Sequence, residues 1–206
     1  MDLSSKEILA TVVAASFAAG LNVYATVATL GLLARFQLLA LPTGLNLLQD
    51  WWVIGAASIL FFVEFFADKV PAFDLIWNAL HTFIRVPIAA YMGYASTMQM
   101  TPGQQAMSAL LAGVIALVAH GGKTAVRAAV TTSPEPVSNI GLSVVEDVTA
   151  IGLTWFAMTH PYWAAGLTVA FVIVTVLLVR WVVRAIRSLF RGAKREWIAL
   201  EGSPQV

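Results

Sequence analysis

The chain has 206 residues, of which 59% are hydrophobic and only 11% are charged, and its formal net charge is +1. Soluble domains carry about 25% charged residues, so this composition excludes an ordinary soluble protein and indicates an integral membrane protein. The near-neutral charge leaves no basic surface for a nucleic acid, and the absence of cysteine excludes disulfides and cysteine-ligated metals.

Stretches without charged residues give the predicted elements in chain order. A helix needs about 20 apolar residues to cross a hydrocarbon core of roughly 30 Å. On this basis we predict an all-α fold, a polytopic membrane helix bundle with about six transmembrane spans. Residues 1–192 form one transmembrane domain, and residues 193–206 form a short polar tail. The predicted spans are residues 8–34, 51–67, 86–100, 104–120, 138–158 and 162–183.

The positions of lysine and arginine set the expected orientation, since these residues concentrate on the cytoplasmic side of a membrane. With six spans, both termini lie in the cytoplasm, and Arg35 is the only basic residue expected in the external loops. The start of the chain has no net positive segment before its apolar run. We therefore expect a retained first span rather than a cleaved signal peptide.

The predicted cytoplasmic connection between the second and third spans, residues 67–87, is too apolar for an ordinary loop. Its polar side chains Asp74, Asn78, His81 and Arg85 recur at steps of four, three and four, which makes one narrow stripe on a helix. A helix that lies flat on a membrane usually has a broad, lysine-rich face. We therefore expect a re-entrant segment whose polar edge lines a wet cavity, with a flat interfacial helix as the alternative.

The second cytoplasmic connection, residues 119–139, contains "GGKT" but lacks the preceding strand and the first glycine of a phosphate-binding loop. Gly121 and Gly122 permit a break in the helix, and Lys123 and Arg127 follow one helical turn apart. A helix that starts there, with free backbone N–H groups and two cations, would suit an anion. The alternative is that these are basic residues of the cytoplasmic side next to a helix break.

Two adjacent carboxylates, Glu146 and Asp147, lie in the middle of the fifth predicted span. An ionised group at that depth costs on the order of 3 kcal/mol unless it meets a partner or water. We therefore expect both side chains to face the interior of the bundle, where adjacent carboxylates would disfavour each other's ionisation.

The two connections share a rough plan, so residues 51–100 and 104–158 form a weak repeat of the kind that places a binding site between two halves. The charged residues that converge there are either ion pairs that clamp helices together or the lining of a route for an ion or solute. The predicted pathway consists of Glu64, Asp68, Lys69, Asp74, Asn78, His81, Arg85, His120, Lys123, Arg127, Asn139, Ser143, Glu146 and Asp147.

A basic stripe ends the last predicted span. Arg180, Arg184, Arg187 and Arg191 recur at steps of four, three and four, so they share one helix face. Such a stripe attracts anionic lipid headgroups at about 1 kcal/mol per charge. We expect it to anchor the chain on the bilayer, with a partner site as the alternative.

Three segments resemble a known family: "GLNVYATVATLGLLARF", "EFFADKVPAFDLIWNALHTFIR" and "HGGKTAVRAAVTTSPEPVSNIGLSVVED". They are similar to the bacterial integral-membrane family known as domain of unknown function 4126, and the resemblance spans nearly the whole chain. It implies a multi-span protein of the bacterial inner membrane and carries no activity or substrate.

The function expected from these observations is that of a small transporter or channel-like carrier for an ion or a small polar or anionic solute, with proton coupling as one form. The alternatives are a membrane-embedded enzyme that acts on a lipid phosphate and a non-transporting scaffold. An enzyme is less expected, because no catalytic constellation is complete and the three histidines lack metal-ligand spacing. We expect no cofactor and no metal. Small residues such as "AASFAAG" suit packing within the chain or a homodimer.

Overall fold

All regular structure that the computed structural model describes is helical. The described residues are 4–68, 71–130 and 136–201, without the side chains of residues 71–76, 78, 128–130, 136–139, 186 and 189–201. The helices are α1 (Ser5–Leu21), α2 (Val23–Arg35), a 3₁₀ helix (Thr43–Gln49), α3 (Trp51–Ala67), α4 (Pro71–Ser96), α5 (Pro102–Val130), α6 (Pro136–Thr159) and α7 (Pro161–Glu201).

The sequence marks where most of these helices start. Each of the last four begins with a proline, whose fixed φ and missing N–H suit the first position of a helix. The α1 helix begins with a capping box, in which the Ser4 hydroxyl accepts from the Glu7 backbone N–H and the Glu7 carboxylate accepts from Ser4. These local signals fix helix starts independently of packing.

The first two helices form a hairpin, so the prediction of one straight span over residues 8–34 is wrong. Ile8 and Leu30 line the same small cavity, although a straight helix would separate them by roughly 33 Å at 1.5 Å per residue. Gly20 of α1 lies against α5, whereas Gly31 of α2 lies against Ile54 of α3. The chain therefore enters along α1 and returns along α2.

Asn22 makes this reversal. Its backbone is extended, with φ −150° and ψ 102°, and it separates the two helices as a single residue. Its N–H donates to the Ala18 carbonyl and closes α1, while its side-chain oxygen accepts from the Ala25 N–H and caps α2. Asparagine is among the most favoured residues at a helix N-cap, so one residue both ends α1 and starts α2.

The other helices run between the base of the hairpin and its tip. We call the end that contains Ser5 and Arg35 the base end and the end toward Asn22 the tip end. Trp51, at the start of α3, lies 5.2 Å from the Arg35 guanidinium at the base end. From there α3, α5 and α7 run toward the tip end, and α4 and α6 run back to the base end.

Length and composition identify three or four candidate membrane spans among the described residues. Three helical segments are long and apolar enough to cross a membrane, Pro102–Arg127, Ile140–Thr159 and Pro161–Ala185, and the bent pair Thr43–Gln49 and Trp51–Ala67 would make a fourth. The count of six is not confirmed. Many large apolar side chains on the outside of the bundle are exposed, as expected for a surface that faces acyl chains.

The described parts of the two predicted cytoplasmic connections belong to helices. Residues 71–87 continue without interruption into the rest of α4, and α5 continues through Gly121 and Gly122 to Val130. The predicted helix break at these glycines is therefore wrong, and no helix start is available there for an anion. The described chain instead reverses its direction at Asn22, between α1 and α2.

Close helix packing draws the tip of the hairpin into the bundle. A Cβ atom on Gly20 would lie 2.7 Å from the Ala119 side chain of α5, and one on Gly93 of α4 would lie 2.7 Å from the Ala112 side chain. Such small residues let helix backbones approach each other closely in membranes. The α4–α5 interface is the most extensive in the fold.

Candidate functional site

Seven charged side chains converge beside the tip of the hairpin, and we call them the buried charged cluster. No residue among them is more than 9% exposed. They come from α3 and its C-cap, α4, α5 and α6. The two residues from α3 and from α5 are four apart, so they share one helix face, and the two from α6 are adjacent. The members are Glu64 and Asp68 of α3, Arg85 of α4, Lys123 and Arg127 of α5, and Glu146 and Asp147 of α6.

Lys123 lies at the centre of the cluster. Its ammonium nitrogen lies 3.2 Å from Glu64 Oε1, 3.1 Å from Asp68 Oδ2 and 3.3 Å from Glu146 Oε2. One compact cation thus contacts carboxylates of both α3 and α6. A lysine with three donors and a flexible stem suits this bridging position.

The two arginines complete the ion pairs. Arg85 donates to Glu64 Oε1 through Nη2, and Arg127 Nη2 lies 2.8 Å from Asp68 Oδ2 and 2.6 Å from Glu146 Oε2. Breaking a buried pair by removal of one partner typically costs about 3–5 kcal/mol. The pairs therefore hold α3, α4, α5 and α6 together at this level.

The cluster also binds the end of α1. Arg85 Nη1 donates to the Gly20 carbonyl at 3.4 Å, and Lys123 Nζ donates to the Leu21 carbonyl at 3.4 Å. The last carbonyls of a helix carry partial negative charge and favour nearby cations. The two basic side chains therefore stabilise the helix end that the hairpin places inside the bundle.

Two histidines lie beside the cluster. His81 Nδ1 donates to the Trp77 carbonyl at 2.7 Å, and its Nε2 lies 3.0 Å from the Tyr24 hydroxyl, which is able to donate or accept. Arg85 Nη1 donates to His120 Nδ1 at 2.8 Å, and His120 Nε2 lies 2.8 Å from Thr82 Oγ1. An arginine only donates, so His120 Nδ1 is an acceptor and this ring is neutral in the arrangement described.

Asp147 differs from the other three carboxylates. Its Oδ1 accepts from the Asn22 amide at 2.9 Å, whereas Oδ2 is buried and has no hydrogen-bond partner among the described residues. No described lysine or arginine lies within 4.0 Å of it. Ser143, one turn earlier on α6, is also buried, and its hydroxyl has no hydrogen-bond partner in the part of the chain that the structure describes. Without the histidines, the described cluster contains four carboxylates and three basic side chains.

The structure brings together ten of the fourteen side chains predicted to line a pathway. Lys69 lies outside the described residues, as do the side chains of Asp74, Asn78 and Asn139. The sequence interpretation missed the structural roles of Asn22 and Tyr24. A single asparagine inside an apolar stretch was the available signal for the first. The ten residues that are brought together are Glu64, Asp68, His81, Arg85, His120, Lys123, Arg127, Ser143, Glu146 and Asp147.

The basic stripe on α7 lies away from this cluster. The α7 helix starts at Pro161 in the base end, and Thr175 lies against Gly122 of α5 near the level of the cluster. Arg180, Arg184 and Arg187 follow farther along the helix and are exposed, while the Arg191 side chain is outside the described residues. Binding of anionic lipids by this stripe stays a prediction.

Comparison with known proteins identifies one family. No curated protein and no solved structure matches the chain. A family model described as domain of unknown function (DUF4126) matches residues 9–181, a range that contains the whole buried charged cluster and the hairpin tip. The chain therefore belongs to the DUF4126 family.

Proposed function

We propose that this protein is a small membrane carrier for an ion or a small polar solute, and that the buried charged cluster is its binding site. The observation that supports this proposal best is the imbalance of the described cluster, in which Asp147 has an uncharged amide as its partner. A carboxylate at membrane depth without a cation is costly. It is therefore suited to take up a proton or another cation and to release it again.

Charge balance gives the mechanism of uptake. Among the described aspartates, glutamates, lysines and arginines, Glu64, Asp68 and Glu146 share three basic side chains, and the charge of Asp147 remains to be neutralised. A proton on Asp147 would make the described cluster neutral and would supply a donor for the buried Oδ2 position. Release of that proton requires water or a new partner at Asp147. Uptake and release therefore require a conformational change that admits water to Asp147 and then excludes it again.

The hairpin supplies an element that is able to move. Discontinuous helices whose ends meet inside the membrane are a recurrent feature of carrier binding sites, because helix ends bind charged groups. Here the end of α1 is bound by Arg85 and Lys123, and the start of α2 is tied through Asn22 to Asp147. Exchange of the ion at Asp147 would therefore change the forces that hold the tip of the hairpin.

The proposed orientation places the tip end in the cytoplasm of a bacterium, with the chain in the inner membrane. Most of the basic side chains that the structure describes, including the exposed arginines of α7, lie toward this end, in agreement with the positive-inside rule. Because the hairpin returns to its starting side, Ser5 would then face the opposite side. The expectation of two cytoplasmic termini depended on a straight first span, so we do not retain it.

The proposal is tested by flux into liposomes. Purified protein is reconstituted with a pH-sensitive dye inside, and parallel preparations contain dyes for Na⁺ and K⁺. We expect flux of at least one of these ions with the parent protein and its loss in Asp147→Asn. The matched control is Asp50→Asn, which makes the same chemical change at an exposed position. Equal flux in the parent and in Asp147→Asn would refute the proposed site.

A structural role is the second candidate, and the extensive pairing of the other six charges favours it. In that case the cluster only clamps helices, and no ion flux depends on Asp147. A lipid-phosphate enzyme receives less support, because Arg85, Lys123 and Arg127 all face carboxylates that a phosphate would have to displace. Turnover of a phospholipid or polyprenyl phosphate by the purified protein would reverse this ranking.

A further inference from the structure

Two cavities lie in line at the base end of the bundle. The outer one has a volume of about 840 Å³ and is lined by polar residues that include Glu7, Gln37 and Asn46. The inner one has a volume of about 20 Å³ and lies between the two arms of the hairpin and α4, with Ser16 of α1 and Leu30 of α2 on opposite walls. Met158 of α6 lines both cavities.

The position of Met158 makes it the boundary between the two cavities. Its side chain is partly buried and packs against the apolar core that surrounds the hairpin. Methionine has three rotatable side-chain bonds and no branch, so it fills irregular gaps and changes conformation at low cost. A different rotamer at this one residue would join the inner cavity to the outer one.

The inner cavity is lined mainly by apolar residues and carries three hydroxyl groups, enough polar partners for one water molecule. Thr11, Ser16 and Ser96 are among its lining residues. Their hydroxyls donate to the carbonyls of Ala157, Val12 and Met92 at 3.2, 2.5 and 2.7 Å. Their protons are thus committed, and the oxygens remain available as acceptors. Such a lining favours water, hydronium or a small cation over an anion.

Size limits the species that the inner cavity admits. A volume of about 20 Å³ is sufficient for one water molecule, since a water needs roughly 10–15 Å³ by this measure. A solute with several heavy atoms does not fit. A proton, in contrast, moves along single water molecules and needs no larger passage.

Small and apolar residues separate the inner cavity from the cluster. Ser16 is six residues before Asn22, which corresponds to roughly 9 Å along α1. Ala19, Val23 and Val27 belong to the packed apolar core around the hairpin. The Tyr24 hydroxyl lies 3.0 Å from His81 Nε2, beside the cluster. A slight separation of the hairpin arms would therefore extend the water path to Tyr24 and Asp147.

We infer that the buried charged cluster is reached from the base end along the inside of the hairpin, with Met158 as the gate, and that this path carries protons with single water molecules. The inference rests on the proposed carrier function and narrows its substrate class to the proton. It also predicts that the gate acts on access and leaves the cluster itself unchanged.

Thiol reactivity tests the path separately from transport. Because the chain contains no cysteine, Ser16→Cys introduces a single thiol into the inner cavity, and Ser96→Cys provides a second reporter on another wall. The probe is Ag⁺, a thiol-reactive cation close to water in size, and a bulky charged methanethiosulfonate serves for comparison. We expect both thiols to react with Ag⁺ and to resist the bulky reagent. Leu110→Cys, on the exposed outer face of α5, is the lipid-side control.

The gate is tested with Met158→Trp in the Ser16→Cys background. A larger ring fills the mouth of the cavity, so we expect the Ag⁺ reaction and the proton flux to slow by about tenfold, because water access is reduced. Met107→Trp is the matched control, since Met107 is exposed on the outside of α5. Thiols that fail to react, or a Met158→Trp variant as fast as its parent, would overturn the path. Flux that still depends on Asp147 would then leave the carrier proposal standing.

Discussion

The side chain of Asn22 donates a hydrogen bond of 2.9 Å to Asp147, 125 positions away in the sequence. The same asparagine ends α1 through its N–H and caps α2 through its side-chain oxygen. One residue therefore sets the local reversal of the chain and also holds the tip of the hairpin against α6. This relationship connects the backbone geometry of the hairpin to the charge of the cluster.

Replacement of Asn22 by alanine should destabilise the protein more than the loss of a helix cap on the surface would. The change removes the α2 cap, worth about 0.5–2 kcal/mol, and leaves a buried carboxylate oxygen without its donor, worth about 1–3 kcal/mol. We expect a lower free energy of unfolding in detergent, measured by denaturant titration. Asn46→Ala is the control, because Asn46 is exposed. Equal stability of Asn22→Ala and the parent would show that the tip is held by other contacts.

The pair formed by Arg85 and Glu64 should behave as a coupled unit. Both side chains are fully buried and directly paired. Arg85→Met should therefore lower the free energy of unfolding by about 3–5 kcal/mol, because Glu64 loses a cation without leaving the interior. Addition of Glu64→Gln should restore a substantial part of that loss. Strict additivity of the two changes in a double-mutant cycle would mean that the pair has no special energetic role.

The sequence predicted the class of the fold but not its first turn. Apolar composition and charge spacing were sufficient to predict helices in a membrane. The reversal at Asn22 was not predicted, because residues 8–34 contain no charge and have the length of one long span. Hydropathy has no term for chain direction, and a single asparagine is tolerated within a membrane helix when it finds a partner. The packing of α1 against α5 and of α2 against α3 favours a hairpin over one straight span.

The convergence of the charged side chains was easier to predict from the sequence than the topology. Helical spacing alone placed Glu64 with Asp68, and Lys123 with Arg127, on common faces, and all four meet in the cluster. The cost of a charge in hydrocarbon then required these faces to converge. The sequence could not say which carboxylate would lack a cation, because Glu146 and Asp147 are adjacent. Only the rotation of α6 gives the pairs to Glu146 and the amide to Asp147.

Substitution of Gly20 by alanine should weaken the packing of the hairpin on α5. The added methyl group would lie 2.7 Å from the Ala119 side chain and closer still to the Ala116 carbonyl. Overpacking of this kind costs about 1–3 kcal/mol. Gly121→Ala is the matched control, since it is a helical glycine with open space around it and should gain up to about 1 kcal/mol. Thermal unfolding of the two variants in the same detergent measures both effects, and equal shifts would contradict close contact at Gly20.

Amide substitutions at the two adjacent acids should have opposite effects on stability. Glu146→Gln removes the partner of Arg127 and Lys123, so the free energy of unfolding should fall by about 3–5 kcal/mol. Asp147→Asn removes an excess negative charge and still presents a side-chain oxygen to the Asn22 amide. It should therefore leave the free energy of unfolding unchanged or raise it by about 1 kcal/mol, which is the typical net contribution of one hydrogen bond. The reason is that a neutral amide with a hydrogen bond replaces a buried carboxylate that lacks a cation. Denaturant titration at neutral pH measures the free energy of unfolding of both variants.

If Asp147 serves the carrier, we expect Asp147→Asn to be stable and to have lost its flux, because functional sites often sacrifice stability. Loss of stability in Asp147→Asn comparable to that in Glu146→Gln would show that Asp147 is a structural partner like its neighbour.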